Sequence, residues 1–119
     1  ESRSHVIRGG NLELLVKGSS GVVTVNSTTG LGALCQAVPV VACGYAVYDI
    51  SGLTHQGGIN QFWTAPDPVN EEFVDVFLRA ISTVQVKGSF FNPAGRHRAA
   101  KLIASRLAAL PDYDLSAIR

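Results

Sequence analysis

An α/β fold, a parallel sheet covered on both faces by helices, is what three features of this 119-residue chain predict. Short apolar, β-branched runs alternate with stretches whose apolar residues recur at helical spacing. The runs lack polar alternation, as parallel strands covered on both faces do, and each return to a parallel strand needs a crossover helix. A hydroxyl-rich turn, Asn26-Ser27-Thr28-Thr29, joins one such run to a helical pattern.

In chain order, Ser4-His5-Val6-Ile7-Arg8 is β-prone and ends at Gly9-Gly10, after which Asn11 caps a short helix over 12–17 that Gly18-Ser19-Ser20 closes. Residues 21–25 form a second strand, 28 to about 37 a second helix, and 39–43 a third strand stopped by Gly44. Leu31, Leu34, Cys35 and Val38 share one face of that second helix. The predicted order is β-α-β-α-β. From Tyr45 to Pro68 the periodicity lapses into a Gly- and aromatic-rich loop, and a loop this long inside a compact domain is usually functional. Asn70 then caps a helix with Phe73, Val74, Phe77, Leu78, Ile81 and Val84 at core spacing. After the break at 88–93, a helix over 94–110 is expected to turn Ala99, Ala100, Leu102, Ile103 and Leu107 inward, with Arg96, Arg98, Lys101 and Arg106 on a solvated edge. One domain over 1–111 and a loosely ordered tail over 112–119 complete the plan.

Composition narrows the function classes. A hydrophobic content of 46% and a mean hydropathy of +0.21 provide for a single substantial core. With 16% charged residues and a net charge of +1, and basic residues scattered apart from Arg96, His97, Arg98 and Lys101, nothing points to a nucleic-acid partner. No apolar run approaches the ~20 residues that cross a bilayer. Cys35 and Cys43 lack metal-ligand spacing and are expected to be buried free thiols. No metal or cofactor is expected. Glu1 at the start and the absence of Met lead us to expect a fragment or a processed product.

The strand-to-helix junction is the candidate binding site. The first amides of a helix lack internal partners and the helix dipole is positive there, so such a turn can hold an anion without a basic side chain. Asn26, Ser27, Thr28 and Thr29 add polar groups, and Gly30 and Gly32 allow close approach. The alternative is that Asn26 or Ser27 simply caps the helix. In the long loop Asp49 either bonds a sugar hydroxyl or organises a turn. Tyr45 and Tyr48 either stack on a base or pack. His55 could act as an acid, but nothing near it in sequence supplies an orienting group. His5 and His97 have weaker claims, and Trp63 is expected to anchor the loop.

Taken together, the turn Val25-Asn26-Ser27-Thr28-Thr29-Gly30-Leu31, the run Pro39-Val40-Val41, the loop Gly44-Tyr45-Ala46-Val47-Tyr48-Asp49-Ile50-Ser51-Gly52-Leu53-Thr54, the pair Phe62-Trp63 and the late Gly88-Ser89-Phe90-Phe91 resemble the capsule polysaccharide biosynthesis and export family, which includes Kdo-transferring enzymes. The resemblance implies a two-lobed glycosyltransferase of the GT-B type and places this chain in its C-terminal, nucleotide-sugar-binding lobe. It implies Rossmann-like lobes and a CMP-activated sugar as donor, CMP-Kdo first, with Ser27, Thr28 and Thr29 on the CMP phosphate; Asn26, Gly30, Tyr48 and Asp49 complete the expected substrate-binding set. It also implies an N-terminal lobe that carries the general base, a capsule glycolipid acceptor, partners in capsule assembly or export, and a cytoplasmic location peripheral at the inner membrane. A noncatalytic module that recruits export machinery is the competing reading.

Overall fold

A computed structural model describes residues 3–89 and 91–109. The elements are α1 (Leu12–Lys17), β1 (Val22–Thr24), α2 (Thr28–Leu34), β2 (Val40–Ala42), α3 (Ile59–Phe62), α4 (Glu71–Val84) and α5 (Pro93–Ala108). The chain forms two compact units, the first ending at Arg79 and the second starting at Ala80.

The first unit is built on a β-α-β step. β1 and β2 pair in parallel, Val22 opposite Val40, Val23 opposite Val41 and Thr24 opposite Ala42. Pairing runs past both strand ends, with Cys43 N–H donating to Thr24 O at 2.7 Å and Gly44 N–H to Val25 O at 2.9 Å. Leu34, Val38 and Val40 fill the space between α2 and the strands, joined by Val16 of α1, Tyr48 and Leu53 of the long loop, and Val74 of α4. Each is withdrawn from water, and burial of such side chains is worth roughly 1.5–3 kcal/mol apiece before the entropy of ordering is subtracted.

Ser4–Arg8 is not a strand. A β-strand exists only where a neighbouring strand shares its ladder of hydrogen bonds, and among the described residues that ladder joins β1 to β2, while Val6 and Ile7 are exposed. Among the described residues the sheet has two strands where the sequence suggests three. Both cysteines are free, as expected, but both are exposed. Cys35 lies one residue beyond the end of α2, as its C-cap, and Cys43 lies just past β2, so neither shares the inward face of its neighbours.

Loop 45–68 is more ordered than its composition suggests. It contains the four-residue α3 and a bridge between Ser51 and Thr54, and Gly52 takes the positive φ of 89° that the intervening turn requires. Phe62 anchors it, at 3% exposure, whereas Trp63 is 65% exposed, which reverses the expected role of the tryptophan. The two lie about 100° apart on a helical turn, so only one can face the core, and Phe62 is the one that fits against Gly21, which has no Cβ to obstruct the ring.

In the second unit, Asn92 caps α5 by accepting from Gly95 N–H at 2.7 Å, and Pro93 occupies the first turn, where its missing N–H costs nothing. Gly88 lies against Ala99, and a side chain there would collide with it. The inward face is narrower than its periodicity suggests: Ala99 is buried and Leu102 half-buried, while Ala100, Ile103 and Leu107 are exposed. Phe90, the predicted helix end at Leu110 and the tail over 112–119 lie outside the described residues.

Candidate functional site

The predicted turn follows β1 directly and lies at the carboxyl ends of the parallel pair. Ser27 is the N-cap of α2. Its hydroxyl accepts from Thr29 N–H at 3.2 Å and donates to Thr29 Oγ1 at 3.0 Å, while Ser27 N–H donates to Thr24 Oγ1 at 3.2 Å. Gly30 N–H donates to Ser27 O at 3.0 Å. Capping thus engages Ser27 and two of the helix amides. Asn26 and Thr28 keep exposed side chains, and Thr28 N–H has no acceptor among the described residues.

Tyr48 fixes this turn from below. Its hydroxyl donates to Ser27 O, and its ring lies where a Cβ on Gly30 would stand, 2.5 Å from the hydroxyl oxygen and 2.8 Å from Cζ. The room at Gly30 is therefore filled by the tyrosine ring. At 2% exposure the phenol is held neutral, its pKa raised above the ordinary 10.0 first by burial and then by the adjacent Asp49 carboxylate. Of the two tyrosines, Tyr48 packs and Tyr45 is fully exposed.

Asp49 organises its own loop. One carboxylate oxygen accepts from Thr54 Oγ1 at 2.7 Å and from Gln56 Nε2 at 3.2 Å. Asp49 also lines, with Ala42, Cys43, Gly44 and Tyr45, an open cleft of about 370 Å³ at the carboxyl end of β2. A larger cleft of about 490 Å³, mostly apolar, lies between α1 and α2, and of the predicted residues it takes Thr29 and Gly32. The predicted set does not converge on one cavity: Asp49 faces one cleft and Thr29 the other, Tyr48 supports the turn, and Asn26, Ser27 and Thr28 stand on open surface.

His55 does have a neighbour that orients it, supplied by a residue twelve positions on. Asp67 Oδ2 is 2.8 Å from Nδ1, and Asp67 N–H also approaches Nδ1, at 3.3 Å. Nε2 is buried without a hydrogen-bond partner among the described residues, closed off by Gly57 and Gln61. Nε2 is therefore not presented to solvent in this arrangement. His55 instead ties the loop down, its own N–H donating to Val40 O at 2.8 Å. Sequence spacing gives no hint of Asp67 as its partner, because the connection is made by the fold.

No group of three or more His, Cys, Asp or Glu side chains is arranged to hold a metal among the described residues. Nor is any helix of these residues long and apolar enough to cross a membrane.

A two-strand parallel sheet joined by a helix, with a polar turn at its carboxyl ends, defines an α/β protein. The family model described as "Capsule polysaccharide biosynthesis protein" matches residues 1–91, and the chain belongs to that family. The capsule polysaccharide modification protein LipB of Neisseria meningitidis, in strains of serogroups A and B, is 34% identical over 82 residues, 68% of this chain and 20% of the relative. The capsule polysaccharide export protein KpsS of Escherichia coli is 49% identical over 51 residues, 43% of this chain and 13% of the relative. The chain therefore spans about a fifth or less of the length of these relatives. No solved structure matches it.

Proposed function

We propose that this chain is the nucleotide-sugar-binding part of a capsule glycosyltransferase, holding a CMP-activated sugar, CMP-Kdo in the first instance, for transfer to a capsule glycolipid. The observation that carries the reading is the Asn26–Gly30 turn, exposed at the carboxyl ends of β1 and β2 and braced by Tyr48 through Ser27 O, in a member of a capsule biosynthesis family. The Thr28 amide and hydroxyl and the Asn26 side-chain amide supply donors to a phosphate oxygen, with Ser27 and Thr29 fixing the turn's shape. The exposed ring of Tyr45 and the carboxylate of Asp49, on the neighbouring cleft, offer a stacking surface for the base and an acceptor for a ribose or sugar hydroxyl. Activation of the acceptor hydroxyl falls to a carboxylate of a facing lobe, since proton abstraction requires a base within hydrogen-bond reach.

Isothermal titration with CMP tests this. Binding by the chain should weaken by about tenfold or more in Thr28→Val, which loses a charge-assisted hydrogen bond to phosphate. An affinity unchanged in both Thr28→Val and Asn26→Ala defeats the assignment of the turn. The second reading, a module that recruits export machinery, draws on the exposed Leu12, Leu14 and Leu15 of α1. Capture of a capsule transport component that survives Thr28→Val and is lost on replacing these leucines by Ser would favour it.

A further inference from the structure

Trp63 is the single tryptophan of the chain, and neither the core nor the candidate donor site uses it. It is the C-cap of α3, with its side chain largely in solvent, while Phe62 beside it is buried. The two rings stand 5.9 Å apart at 67°, edge to face, so they make a corner and not a slot. With Ser20, Gly21 and Pro66 they line a cleft of about 220 Å³. The backbone on both sides of that cleft is held in place. Thr64 N–H and Ala65 N–H donate to Gln61 O at 3.0 and 2.8 Å, which fixes the turn that carries Trp63. Asp67, next to Pro66, is tied to the buried His55, with Oδ2 2.8 Å from Nδ1.

This corner belongs to the opposite end of the sheet from the Asn26–Gly30 turn. Gly21 precedes β1 and Pro39 precedes β2, and the Phe62 ring lies where a Cβ on Gly21 would stand, with Pro39 O 3.5 Å from the same point. It offers an aromatic face and two uncommitted polar groups. Among the described residues neither the indole Nε1–H nor the Ser20 hydroxyl has a hydrogen-bond partner; the first can only donate, the second can donate and accept. No charged side chain of the described residues lines the cleft, so a phosphate or carboxylate would find no counter-charge there. A pyranose ring suits all of these features. Its axial C–H groups form an apolar face that covers an indole, and its rim of hydroxyls both donates and accepts.

We propose that Trp63 and Ser20 form a subsite for one uncharged pyranose residue of a glycan, stacked on the indole, with one sugar oxygen accepting from Nε1–H and a neighbouring hydroxyl bonded to Ser20 Oγ. Membership of a polysaccharide biosynthesis family brings glycans to hand. The subsite does not rest on the donor assignment: it lies at the amino ends of the strands and takes a neutral sugar, whereas the donor reading places a nucleotide at the carboxyl ends.

Because the chain has one tryptophan, its emission reads this corner directly. The test is a fluorescence titration with cellotetraose and with chitotetraose, neutral oligosaccharides whose ring substituents are equatorial and leave both faces apolar. At least one should shift the emission saturably, and the shift should persist in Thr28→Val and in the presence of CMP. Isothermal titration with the same sugar should show affinity lower by about tenfold or more in Trp63→Ala and by about threefold in Ser20→Ala. Both side chains are exposed, so the unfolding midpoints should match the parent's; if Trp63→Ala loses its fold, Ser20→Ala and the emission of the parent decide the matter. No saturable shift with either sugar overturns the proposal. So does parental affinity in both variants, or displacement of the sugar by CMP, which would mark a site for a nucleotide.

Discussion

Tyr48 is the residue on which the site's geometry turns, because it links the core to the backbone of the Asn26–Gly30 loop. Tyr48→Phe removes its hydrogen bond to Ser27 O and should lower unfolding stability by about 0.5–1.5 kcal/mol, measured by urea titration. Its raised pKa has a defined linkage. The folded state holds the phenolic proton more tightly than the unfolded chain, so this contribution is complete below about pH 10, the unfolded value, and is lost as pH climbs through the folded value. An ultraviolet titration should reveal a late-ionising tyrosine that vanishes in Tyr48→Phe. Gly30→Ala probes the same contact by steric means: the new methyl meets the tyrosine ring, and the variant should be destabilised by about 1–3 kcal/mol in the same assay. The hydroxyl turn itself was readable in the sequence, since Ser and Thr before a helix announce a cap. Its support was not, because nothing in spacing tells that a tyrosine 21 residues on will reach back to Ser27.

At the scale of elements, the β1-α2-β2 step was legible because each piece is specified locally, by β-branched runs and by a capped helix. The expected strand over Ser4–Arg8 was not realised because a strand is a property of a pair. The anchor of the long loop shows the same limit at finer grain. Phe62 and Trp63 are adjacent and both aromatic, and composition favours the larger ring, yet the structure buries the smaller against Gly21 and His55, with the Phe62 and His55 rings 5.5 Å apart. Phe62→Ala should therefore cost about 3–5 kcal/mol of stability. Trp63→Ala should fall within about 0.5 kcal/mol of the parent, as exposed substitutions do. Thermal or urea unfolding of both variants separates the two residues, and equal losses would mean that the tryptophan shares the anchoring.

For the whole molecule, the fold sets a polar turn at the carboxyl ends of a parallel pair, held by a buried phenol, and an open cleft lined by Tyr45 and Asp49, and the proposed donor site joins the two. The most direct test of the central claim is a CMP titration followed by backbone amide resonances across the chain. The account predicts that the largest shifts fall on Asn26 to Gly30, with smaller ones at Tyr45 and Asp49. Shifts centred on the α1–α2 cleft or on α5, or none at all at saturating CMP, would contradict it.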